Sequence, residues 1–188
     1  MVEIKNHQLS FPKLLTLGFL IVILVGTGLL MLPLATRGAR APFITALFTS
    51  TSATCVTGLS LVDTASFWSP FGQAVIAVLM EVGGLGFMTF AVMASMLIRR
   101  RIKMSTRLLA QEALNLDHLS QLKVVGLIIR LSVLIQVVGA LLLWCDLGPR
   151  YGLLKGLWYS VFHAIAAFCN AGFDLFGNSL ANFRQDPY

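Results

Sequence analysis

The chain's 188 residues are 57% hydrophobic and 12% charged, about half the charged share of a soluble domain. Mean hydropathy is +0.83 and the apolar residues are clumped into runs, which excludes an ordinary soluble domain and indicates an integral protein of the lipid bilayer. The net charge of +6 does not indicate a nucleic-acid partner, because the basic residues flank apolar runs, where membrane topology accounts for them.

Residues 1–13 are polar, with Lys5 and Lys13, and read as a cytoplasmic N-terminus. The run 14–32 that follows is longer than a signal-peptide core and leads into Arg37, Arg40 and further spans, so a retained transmembrane helix is expected. A second span is expected from about Gln73 to Ile98, and a third from Val124 to Cys145, stopped by "DLGPR". Between spans one and two (43–59), and again after span three (153–173), lies an apolar piece too short to cross, followed by small or polar residues and a glycine. Such pieces read as re-entrant: a half-helix that enters the membrane and returns as extended chain.

The segment 99–123 carries "RRRIK", Arg107 and Lys123 against Glu112 and Asp117, and is expected as a basic cytoplasmic loop. Both dips then enter from the outside. Within that loop "RLLAQEALNLDHLSQL" (107–122) is amphipathic, fit to dock a cytosolic partner or to lie on the membrane surface. The expected units are thus 14–98, a helix–hairpin–helix repeat, and 124–188, a second repeat that stops before its inner helix.

Shifting the chain by 114 residues superposes the two dips without a gap: Phe48 falls on Phe162, Ala53 on Ala167, Cys55 on Cys169 and Gly58 on Gly172. Internal repetition in a membrane chain marks a pseudo-symmetric site at the repeat interface. Open backbone at membrane depth is tolerated where it lines a water-filled path. There its carbonyls can replace the hydration shell of a monovalent cation. The carbonyls expected to do so belong to Val56, Thr57, Gly58 and Leu59 in the first copy and Asn170, Ala171, Gly172 and Phe173 in the second. The competing reading makes each strip an extracellular loop with a buried amphipathic turn.

Glu81 sits inside the second span, where a carboxylate is costly, and is a candidate for the pore or for a structural hydrogen bond at a helix crossing. Asp174, two residues past Gly172, is a candidate for the outer vestibule or for a capping role, and Asp63 is weighed the same way. His163 reads first as a hydrogen-bonded packing residue, Arg130 as snorkelling, and Gly83, Gly84 and Gly86 as close helix packing. Cys55, Cys145 and Cys169 show no CxxC or ligand spacing, so neither a disulfide framework nor a transition-metal site is indicated.

Taken in order, "ALFTSTSATCVTGLSLVDT", "FGQAVIAVLMEVGGLGFMTFAV", "LLAQEALN" and "VFHAIAAFCNAGFD" resemble the Ktr/Trk/HKT potassium transporter family, most nearly its bacterial KtrB-type membrane subunits. The resemblance implies an all-α integral membrane fold of repeated outer helix–pore hairpin–inner helix units, potassium-channel-like, four per subunit. This chain stops after the second hairpin. It further implies one filter glycine per repeat, here Gly58 and Gly172, potassium uptake that is often sodium-dependent, and a location in the plasma membrane. Its partners would be a second copy of the subunit and a cytosolic nucleotide-binding ring of KtrA type, the only route by which a nucleotide cofactor enters. Two rivals are a different pore-hairpin cation channel and a membrane enzyme using Glu81, His163 and Cys169, for which no nucleophile–base spacing is seen.

Overall fold

The computed structural model describes residues 11–102, 114–177 and 181. Among them every named element is helical: α1 (Phe11–Leu30), α2 (Phe43–Thr54), the single-turn α3 (Thr64–Phe67), α4 (Pro70–Ile102), α5 (Leu114–Tyr151) and α6 (Leu153–Phe168). Nearly all of the expected N-terminal segment, residues 103–113 of the basic segment and most of the chain after 177 lie outside the described residues.

Local chemistry sets the helix ends. Ser69 precedes α4 and its hydroxyl accepts from Gly72 N at 3.2 Å, while Pro70 occupies the first helical position, where a missing N–H is harmless. The helix therefore begins before Gln73, the start expected from hydropathy. The expected stop of the third span at Cys145 is corrected: α5 runs through "DLGPR" to Tyr151. Pro149 forfeits one backbone bond near the end of the helix, and Arg150 pairs with Asp146 at 2.8 Å across the same turn. The helix then ends where Gly152 adopts φ 85° and its N–H bonds Gly148 O at 3.0 Å. Within the expected segment 99–123, α4 continues through Ile102 and α5 begins at Leu114. Arg130 is exposed on α5.

The burial pattern is the reverse of a soluble protein's. On α5, Leu134, Leu141 and Leu142 are 58%, 51% and 69% exposed, whereas Ser50, Ser52, Thr54, Gln73 and Ser160 are buried. Helical Gly126–Tyr151, 26 residues containing an 18-residue stretch of mean hydropathy 2.3, is long and apolar enough to cross a bilayer. The core lies between α2, α4 and α6, around Ala53, Ile76, Met80, Phe162, Ala166 and Ala171. Small residues let these backbones approach, and α1 closes on α2 through Ser50, whose hydroxyl donates to Ile23 O at 2.8 Å.

Polar bonds fix the loop ahead of α2 to the turn ahead of α4. Arg37 N donates to Phe67 O at 3.1 Å, Ser69 N to Ala35 O at 2.9 Å, and Arg37 Nε to Trp68 O at 3.2 Å. Gln73 extends this system to α6: its Nε2 donates to Trp68 O at 3.2 Å and its Oε1 accepts from Trp158 Nε1 at 2.9 Å. Asp63 caps α3, accepting from Ser66 N at 3.0 Å, Ala65 N at 3.3 Å and the Ser66 hydroxyl. Of the two roles weighed for Asp63, this geometry is the capping one.

The Ser66 hydroxyl, ahead of the backbone N–H groups, holds the Asp63 carboxyl below its ordinary value. A carboxyl that releases its proton more readily when folded stabilises the fold above the ordinary carboxylate range. That contribution fades as pH falls through the lowered folded value. The protection factors of the Ala65 and Ser66 amides, their exchange rates taken against the intrinsic rate at each pH, should accordingly be high at neutral pH and fall on acidification, and Asp63→Ala should abolish both the protection and its pH dependence.

Candidate functional site: two matched hairpins

Each short helix ends in the same way. In the first hairpin Cys55 N donates to Thr51 O at 2.8 Å, Val56 N to Ala53 O at 3.3 Å and Thr57 N to Ser52 O at 3.0 Å. In the second, Cys169 N donates to Ile165 O at 2.9 Å, Asn170 N to Ala167 O at 3.0 Å and Ala171 N to Ala166 O at 2.8 Å. All three bonds correspond under the 114-residue shift. They form a Schellman closure, which requires a left-handed residue just past the cap. Val56 has φ 58° and Asn170 φ 55°; two residues on, Gly58 has φ 74° and Gly172 φ 72°. Asparagine tolerates this conformation; for a β-branched valine it is strained.

The two strips come together. A Cβ on Gly58 would stand 2.6 Å from Ala171 O and 3.1 Å from Gly172 Cα, and a Cβ on Gly172 would stand 3.2 Å from Gly58 Cα. Only glycine permits both the dihedral and the approach. The remaining strip residues differ in setting. Leu59 is 63% exposed, whereas its counterpart Phe173 is buried. Thr57 bonds Ser52 Oγ at 2.9 Å, and Ala171 is fully buried.

Beneath the strips lies a cavity of about 390 Å³ lined by Thr54, Cys55 and Val56, by their counterparts Phe168, Cys169 and Asn170, and by Phe19, Gly83 and Gly84. The α4 glycines serve one hairpin each. A Cβ at Gly83 would lie 2.1 Å from Thr54 O, and one at Gly84 would lie 2.7 Å from Cys169 Sγ. Sequence reasoning anticipated close packing at this pair, but not that the partners are the two hairpin ends.

Glu81, one turn before Gly84, accepts from Gln136 Nε2 at 2.8 and 3.1 Å and from Cys169 Sγ at 3.6 Å. Gln136 was not singled out from the sequence, because a lone glutamine in an apolar span names no partner until α5 is placed against α4. Asp174 is half-buried, two residues beyond Gly172 and close enough to His163 for charge coupling. His163 accepts from Leu175 N at Nε2 (3.2 Å), so its Nδ1 carries the proton donated to Tyr159 O at 2.7 Å; its ring stacks on Phe176 at 4.2 Å. With both nitrogens engaged in holding the chain, His163 serves as no base for Cys169.

The chain matches the TrkH family of cation transport proteins over residues 15–188 and belongs to that family. It is 46% identical over 185 residues to the potassium/sodium uptake protein NtpJ of Enterococcus hirae, covering 97% of this chain and 41% of that protein. It is 45% identical over 187 residues to the Ktr system potassium uptake protein B of Bacillus subtilis, covering 98% and 41%. To the protein of the same name from Vibrio alginolyticus it is 36% identical over 177 residues, covering 94% and 39%. The chain thus spans about two fifths of the length of these relatives. Membership establishes a membrane-embedded member of a transporter family, not an enzyme.

Three substitutions probe the local geometry. Gly83→Ala drives a Cβ into backbone and should cost about 1–3 kcal/mol or more, read as a lowered thermal midpoint in detergent. Gly86→Ala, whose nearest neighbour would be Phe19 Cζ at 3.6 Å, should be nearly neutral. Val56→Asn should instead raise the midpoint by the equivalent of about 1 kcal/mol, since asparagine adopts the left-handed conformation more readily than valine.

Proposed function

We propose that this chain contributes two filter strips to a potassium-uptake subunit of Ktr/Trk type. The observation that carries the reading is the meeting of Gly58 with Gly172, at equivalent points of two strips that share three cap bonds and match in φ at two positions. Both strips sit over a single cavity. A potassium ion sheds its water where main-chain oxygens can take its place, and the carbonyls offered are those of Val56, Thr57, Gly58, Leu59, Asn170, Ala171, Gly172 and Phe173. An ion site built from several strips requires a repeated backbone, and the matching cap bonds and φ angles support that likeness. Two touching strips do not encircle an ion. The path closes with two further strips from the remainder of a subunit as long as the relatives.

The relatives' names support the cargo: two are potassium uptake proteins of a Ktr system and one is a potassium/sodium uptake protein. Sodium enters the proposal as a co-requirement of uptake. The subunit lies in the plasma membrane with its N-terminus in the cytoplasm and both hairpins entering from outside. It works as a homodimer with a cytosolic nucleotide-binding ring of KtrA type. Asp174, just beyond Gly172, raises the local cation concentration in the outer vestibule.

The test is rubidium uptake by the full-length subunit in cells without other potassium uptake, with sodium as competitor. Gly58→Ser and Gly172→Ser should each lower potassium-over-sodium discrimination by about tenfold, the equivalent of about 1.4 kcal/mol. Unchanged discrimination in both variants, at normal membrane abundance, overturns the assignment.

A further inference from the structure

We infer that Glu81 is a positioning residue for the second strip, acting through Gln136 and Cys169, and that it governs ion discrimination without touching the ion. The inference rests on the filter reading above. The carboxylate joins three elements: it lies on α4, takes two contacts from Gln136 on α5, and takes the Cys169 thiol at the C-cap of α6. Cys169 is the residue immediately before the left-handed Asn170, and so before Ala171 and Gly172. Its thiol is pinned from two sides, by the Glu81 oxygen and by the notch at Gly84. A shift of Cys169 is passed directly to the strip.

The geometry argues against ion contact. Of α4, the residues that line the cavity are Gly83 and Gly84, while the Glu81 carboxylate is turned onto Gln136 and Cys169. Both carboxylate oxygens act as acceptors, the capacity that two N–H donors and one S–H donor require. The first hairpin is braced differently. Its equivalent Cys55 is exposed, and that strip is tied instead by Thr57 to Ser52 at 2.9 Å. The Glu81 clamp is therefore specific to the second strip.

The experiment measures potassium-over-sodium discrimination and membrane abundance for the full-length subunit with its partners. Removing an acceptor for several donors should lower discrimination about tenfold in Glu81→Leu, with Gln136→Leu and Cys169→Ala giving smaller falls in the same direction. Glu81→Gln, which restores a carbonyl acceptor, should recover most of the discrimination. The Glu81→Leu/Gln136→Leu pair should lose no more than Glu81→Leu alone, because the two act as one unit. If Glu81→Leu does not reach the membrane, Gln136→Leu and Cys169→Ala decide. Unchanged discrimination in those variants overturns the clamp, as does Glu81→Gln falling as far as Glu81→Leu, which would assign the effect to charge. Gly172→Ser separates the two levels: if it lowers discrimination while the clamp variants do not, the clamp fails and the filter reading stands. If Gly58→Ser and Gly172→Ser both leave discrimination unchanged, the filter reading fails and the clamp with it.

Discussion

The organisation of this chain depends on how two short helices are stopped. Ending a helix leaves carbonyl and N–H groups without partners, and each hairpin answers with the same closure, three backbone bonds and a left-handed residue. The closure ends the helix at once, so the residues that follow, which belong to no named element, are placed by the cap and not by a long loop. Contact between Gly58 and Gly172 is the consequence. The strips meet because their caps are equivalent, and the caps rest on neighbouring glycines of one helix, α4.

That arrangement explains why small and polar residues are buried where the hairpins meet α4 while much of the exterior is apolar. A packed core of large side chains would hold the hairpins apart; Ala53, Ala166, Gly83 and Gly84 let backbone lie on backbone. Within α2, Thr51 donates to Leu47 O at 2.7 Å and Ser50 to Ile23 O at 2.8 Å, whereas the Thr49 and Thr54 hydroxyls are buried without a partner. Leu127, Leu131, Leu134, Leu141 and Leu142 of α5 face outward, and lipid supplies the solvent they suit.

Much of this was legible in the residues. The short apolar segments, their glycines and the 114-residue register all follow from local pattern, and so does the family resemblance. What escaped was of two kinds. Helix ends governed by one or two bonds were misplaced: hydropathy ends the third span at the charged "DLGPR", whereas the Asp146–Arg150 pair carries α5 on to Tyr151. Contacts between distant segments were invisible. Nothing near Glu81 names Gln136 or Cys169, and nothing near Gln73 names Trp158. The left-handed Asn170 carried a faint signal, since asparagine favours that conformation. Val56 carried none, because valine disfavours it.

The differences between the hairpins are as informative as their likeness. His163 receives Leu175 N and fixes the chain after the second strip, whereas its counterpart Thr49 has a buried hydroxyl without a partner. The chain after the first strip is anchored further along, by Asp63 capping α3. Cys169 is buried against Glu81 and Cys55 is exposed. Side-chain support has thus diverged at nearly every level around the strips, while the backbone has not: φ is 58° against 55° at the cap and 74° against 72° at the glycine. If packing alone were at stake, backbone and side chains would be free to drift together. Under the proposed function the asymmetry has a physical reason, because an ion coordinated by carbonyls is sensitive to main-chain geometry and indifferent to how each strip is braced from behind.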